Sequence, residues 1–155
     1  MTISEIRVIY KKIYDIGRSY ERSYHFSKDI VQNINQTIIR SVDETIKVDE
    51  HYNDQFTINI CYYESYDSGS DDIASSDKIE LSITCADSGI TLDYNFYSCD
   101  EQLECAHCEY ADINEFKDKM SLVNPNIFWY NSNTGKVIEE IRQYVNSLDN
   151  RDCIN

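Results

Sequence analysis

Phe56-Thr57-Ile58-Asn59-Ile60-Cys61-Tyr62 sets an apolar side chain at every second position, the two-residue period that buries one face of a strand and leaves the other in water. Lys78-Ile79-Glu80-Leu81-Ser82-Ile83-Thr84-Cys85 and Ile90-Thr91-Leu92-Asp93-Tyr94-Asn95-Phe96-Tyr97 repeat the pattern. Between these two, Ala86-Asp87-Ser88-Gly89 has the residues of a tight hairpin turn. Three strands of one antiparallel sheet therefore occupy the middle of the chain.

Upstream, Thr2 and Glu5 have capping-box spacing, and Ile6, Ile9, Ile13, Ile16 and Tyr20 follow at steps of three or four, so the first helix begins at Thr2. Ser27 is a second candidate cap, and Ile30, Ile34, Ile38 and Val42 at spacings of four predict a helix from about Lys28 to Ser41. The β-branched run Thr37-Ile38-Ile39 points to a change to strand near Val42 to Val48.

Downstream of the first strand, 64–77 is acidic and serine-rich and reads as a surface loop; Ser98 to Tyr110, an acidic loop after the third strand, holds three cysteines, one histidine and four acids. Asp112 caps a short helix through Ile113, Phe116 and Met120. Ile127-Phe128-Trp129-Tyr130 is a strand candidate, and Val137, Ile138, Ile141, Tyr144, Val145 and Leu148 give a last amphipathic helix. The 155 residues thus predict one α+β domain with an antiparallel sheet of three to five strands and helices packed on one face. Its parts are a helical segment over 1–50, an acidic sheet with its loops over 51–116, and a C-terminal strand and helix over 117–155.

Charge is distributed unevenly. Residues 1–50 hold eight acids and eight bases, and 117–155 hold five of each, whereas 51–116 hold fifteen acids against the single base Lys78. The entire net charge of −14 belongs to the sheet and its loops. An acidic surface by itself speaks to solubility, but segregation of the whole excess favours a cationic partner. Carboxylates arrayed on loops can imitate the phosphates of nucleic acid, which present one negative charge per roughly 1.7 Å of duplex. In charge and size the chain resembles phage-encoded inhibitors of bacterial defence nucleases, CRISPR effectors among them, and immunity proteins that neutralise nuclease toxins. That resemblance implies a small inhibitor of a basic, nucleic-acid-handling protein. Its expected contacts are Asp67, Asp71, Asp72, Asp77, Asp100, Glu101 and Glu104, with Tyr63, Tyr66 and Tyr97 as anchors. Strand parity sends Tyr63 and Tyr97 to the polar face with Thr57, Asn59, Cys61, Glu80, Ser82, Thr84, Asp93 and Asn95. Direct nucleic-acid binding is not expected, because the only basic stripe, on the first helix, is balanced by nearby acids. An unpaired sheet edge leaves a homodimer open.

Cys99, Cys105, His107 and Cys108 supply enough thiolate and imidazole for a tetrahedral zinc site, and Cys105 with Cys108 has the usual two-residue gap. A structural or adaptor module stabilised by zinc is therefore the alternative, against free thiols with no cofactor. Catalysis is not expected: Cys108 adjoins His107 but neighbours in sequence rarely face each other, and no GxSxG, HExxH or glycine-rich phosphate loop occurs. Asp67, Asp71, Asp72 and Asp77 lack the ligand order of a calcium loop. No run approaches the roughly 18 apolar residues of a membrane span, and the N-terminus lacks the order of a secretory signal, so a cytoplasmic protein with reduced cysteines is expected.

Overall fold

A computed structural model describes residues 2–33, 36–67, 74–99, 101–123 and 131–148. Helix α1 (Ile3–Ser19) leads into six strands, β1 (Arg22–Asn33), β2 (Gln36–Glu50), β3 (Phe56–Asp67), β4 (Ala74–Ala86), β5 (Gly89–Ser98) and β6 (Glu101–Ala111). A 3-10 turn, Tyr52–Asp54, links β2 to β3, and helices α2 (Ile113–Met120) and α3 (Asn133–Ser147) complete the described chain. Each strand pairs antiparallel with its neighbours in sequence, giving the order β1-β2-β3-β4-β5-β6. The β1–β2, β3–β4 and β5–β6 connections thus share one end of the sheet, and the β2–β3 and β4–β5 connections share the other.

The sheet of three to five strands is corrected to six. The missing strands lie where a helix and a loop were expected. Instead of a helix over 28–41, β1 and β2 form a hairpin, so the expected helical segment over 1–50 is one helix followed by two strands. A spacing of four residues is one helical turn and also two strand periods, and the run of even-numbered apolar positions ends in the buried residues Ile38, Val42, Ile46 and Val48 of β2. With both readings open, β-branched side chains and cross-strand pairing favour the sheet. Similarly, Ser98 to Tyr110 is mostly β6, and the 64–77 stretch is strand up to Asp67 and again from Ala74. The expected strand at 127–130 lies outside the described residues.

Parity divides the sheet cleanly. Phe56, Ile58, Ile60 and Tyr62 of β3 are buried, as are Ile79, Leu81, Ile83 and Cys85 of β4 and Ile90, Leu92, Tyr94 and Phe96 of β5. These join Ile9, Ile13 and Ile16 of α1, Phe116 and Met120 of α2 and Val137, Ile138, Ile141 and Val145 of α3 in one core cluster. Thr2 accepts from the Glu5 N–H and Glu5 from the Thr2 N–H, completing the α1 capping box; Asp112 and Ser132 cap α2 and α3. The face turned away from the helices is partly exposed. Among the described residues no helix is long and apolar enough to cross a membrane.

Candidate protein-binding surface

The register Tyr63↔Lys78↔Tyr97 across β3, β4 and β5 puts two tyrosines on the open face with a lysine between them. Lys78 Nζ lies 6.0 Å from the Tyr97 ring centre and 2.6 Å from Glu80 Oε1. Its hydrogen bond to Glu80 holds the ammonium pKa above its ordinary value. Together with Ser76 these residues line a shallow cleft of about 250 Å³.

Polar side chains continue the face in hydrogen-bonded rows. Thr57 and Thr84 hydroxyls are 2.9 Å apart, Ser82 donates to Asn59 Oδ1 at 2.9 Å, and Asn59 Nδ2 donates to Asp49 at 2.8 Å. His25 sits 2.6 Å from Asp43, and His107 2.5 Å from Asp93. The hydrogen bond to Asp93, followed by that carboxylate's charge, raises the His107 pKa. Cross-strand pairing of this kind settles the side chains without covering them.

The expected contact residues divide. Tyr63 and Tyr97 reach the open face, as strand parity requires. Asp67 and Glu101 are exposed at the end of the sheet that also carries the β1–β2 connection, and Asp77, partly exposed, lies opposite Glu64 near that end. Asp71, Asp72 and Asp100 lie outside the described residues. Three members take the inward parity: Asp77 shares the phase of Ile79 and Leu81, Tyr66 donates to Glu64 at 2.8 Å and receives Arg40 Nε at 3.2 Å, and Glu104 places Oε2 in the interior, where its charge adds to burial in raising the Tyr94 pKa. Odd parity on β4, even parity on β3 and alternation on β6 account for all three.

Around the carboxylates of 51–116, the described lysine and arginine ion pairs join Glu64 to Arg40 and Glu80 to Lys78. Asp54, Asp77, Asp87 and Glu101 have no lysine or arginine within 4.0 Å among the described residues. Among the described residues these four carboxylates lie near the two ends of the sheet, while Glu80 and Asp93 of the open face sit beside Lys78 and His107.

The cysteine group does not assemble. Cys105 and His107 project from the open side of β6, Cys108 three residues from Cys105 is buried in the core, and Cys99 is exposed after β5. Among the described residues no three His, Cys, Asp or Glu side chains converge to hold a metal ion. Burial raises the Cys108 thiol pKa, and its side chain points away from that of His107.

Sequence reasoning missed a buried polar network. Glu64 accepts from Arg40 Nε at 2.6 Å, Tyr66 Oη at 2.8 Å and Tyr62 Oη at 3.0 Å, and Glu44 accepts from both the N–H and the hydroxyl of Thr134 at 2.8 Å. The signal was available: Glu44 and Glu64 fall in phase with the apolar residues of their strands. Comparison with known protein families, characterised proteins and solved structures gives no match to the chain.

Proposed function

We propose that the chain is a small acidic binding protein that blocks a basic, nucleic-acid-handling protein in the cytoplasm, acting by contact and not by catalysis. The observation that carries this reading is the placement of uncompensated carboxylate: a net charge of −14 arises wholly within 51–116, and Asp77 and Glu101 hold no basic partner among the described residues. Carboxylates spaced along strand ends offer a cationic groove the charge it would otherwise take from phosphates. Complementary fields speed encounter more than they add affinity. Tyr63 and Tyr97, half-exposed on the open face whose parity Asp67 shares, supply rigid aromatic area for the same contact.

Capture from native host lysate with the full chain tests the reading, using wild type beside the Asp67→Lys/Glu101→Lys variant. Both positions are exposed, and urea unfolding beside wild type checks that the variant is folded. Expected is a basic partner, released by salt, whose nucleic-acid binding is inhibited by wild type and about tenfold less by the variant. A neutral or acidic partner, or equal inhibition by both proteins, overturns it.

A further inference from the structure

At the end of the sheet opposite Asp67 and Glu101 lies a groove of about 1100 Å³, bounded by the first half of α1, the β2–β3 link, the β4–β5 turn and the junction of β6 with α2. This volume exceeds the roughly 300–1,000 Å³ of a typical small-ligand pocket, which suits an extended segment. Tyr10, Phe56 and Tyr110 supply aromatic wall, and Asp54, Asp87 and Asp112 line the side away from α1.

Three features single the groove out. First, three of the four described non-glycine residues with positive φ line it, Asn53, Asp54 and Tyr110 at 61°, 61° and 54°, Cys99 being the fourth. Such geometry persists only where surrounding structure fixes it, and it collects at ligand sites. Second, the Tyr10 hydroxyl is half-buried in the wall with no hydrogen-bond partner among the described residues. Burial, with the charges of Cys85 and Asp87 adding to it, pushes this phenol up to about 12, so it remains a neutral donor. Third, lining carboxylates outnumber lining cations. Asp54, Asp87, Glu50, which accepts from the Tyr14 hydroxyl, and Asp112, which accepts from the Glu115 N–H, line the groove with Arg7, Lys11 and His51, and Lys11 already lies 2.7 Å from Asp15 and 5.0 Å from the Tyr14 ring centre.

We propose that this groove binds a basic, apolar peptide segment, with a lysine or arginine reaching Asp54, Asp87 and Asp112 while its alkyl stem and apolar neighbours lie on Tyr10 and the exposed Tyr110 ring. Carboxylates beside exposed ring faces are the chemistry that selects a cation carried on an apolar stem. An anionic ligand would meet net repulsion. Arg7 on the α1 lip sets polarity, turning the cation of the segment toward the strand ends. The inference deepens the proposed function and rests on it only for the basic character of the partner, which gains a second contact at the far end of the sheet.

The probe is a short, end-capped peptide of alternating leucine and arginine, titrated into the full isotope-labelled chain and followed by amide chemical shifts. Alternating serine–arginine and leucine–glutamate peptides serve as controls. Expected are saturable shifts confined to the groove, around Tyr10, Asp54, Asp87 and Tyr110, with both controls at least about tenfold weaker. Asp54→Asn/Asp87→Asn should weaken the leucine–arginine peptide about tenfold while the remaining spectrum stays that of the folded protein. Tyr110→Ser gives a second reading of the same site, with a several-fold loss expected from the missing ring. Absence of shifts, preference for the acidic peptide, or equal binding of the serine–arginine peptide with shifts spread to Asp67 and Glu101 overturns the proposal. Because the capture variant alters only the opposite end, either reading can fail while the other stands.

Discussion

Glu44 is 3% exposed, yet it carries a carboxylate into the helix-covered side of the sheet. Thr134 occupies the first turn of α3, so the N–H and hydroxyl it gives to Glu44 bring an anion to the positive end of that helix. Arg22 Nε lies 3.4 Å from the second carboxylate oxygen. Removing the acid would leave a buried N–H and a buried hydroxyl without their acceptor and a guanidinium without its nearest counter-charge. Glu44→Ala should therefore lower unfolding free energy by about 3 kcal/mol, the cost of breaking one member of a buried charged group. Urea unfolding measures it, and a loss under about 1 kcal/mol would remove the assigned tether between β2 and α3. Glu64, with three donors around it, is satisfied in the same way one strand over. These two acids are subtracted from any surface available to a partner, which a charge count along the sequence cannot do.

At the level of elements, readability followed how many independent signals agreed. For α1, cap, apolar spacing and polar stripe all indicate helix, and the structure has one from Ile3 to Ser19. Strict alternation with a turn indicated the β4–β5 hairpin, closed by the Ala86↔Gly89 pair. In β1 and β2 the apolar positions repeat at four, a spacing that helix and strand share, and a capping candidate at Ser27 tilted the balance the wrong way. For β6 the alternation is masked by small and polarizable residues, since Ala106 and Cys108 are its buried positions beside Ala111. Two register shifts between β5 and β6 blur the period further.

One close approach fixes α1 on the sheet. A Cβ at Gly17 would lie 2.7 Å from Ile58 Cδ1 and 3.1 Å from Val48 Cγ2. Gly17→Leu should cost about 1–3 kcal/mol by overpacking. Gly17→Ala should be near neutral, because the Ile58 tip can yield and alanine recovers up to about 1 kcal/mol of helix propensity. Denaturant midpoints at constant slope test the pair, and a Leu variant as stable as wild type would mean that α1 does not pack this closely.

At the scale of the whole molecule, three helices cover one side of a six-stranded meander and leave the other side polar and partly exposed. The charge asymmetry was readable from composition by segment; its division between the two ends of the sheet was not, because the strand order decides which connections meet. Asp67 and Glu101 gather at one end, and Asp54, Asp87 and Asp112 line a groove at the other. Tyr63 and Tyr97 lie between them on the open face. Strand parity was equally unfavourable to the cysteine group, since residues three apart on a strand point to opposite sides.

The central claim is that these carboxylates guide the protein onto a cationic surface. Its most direct test is the association rate with the captured partner, measured from about 50 mM to about 500 mM salt, across which screening shortens the reach of surface charge severalfold. The rate should fall at least about tenfold over that range, with a shallower fall for Asp67→Lys/Glu101→Lys. A rate constant within about twofold across the whole series, the same for both proteins, would contradict the account.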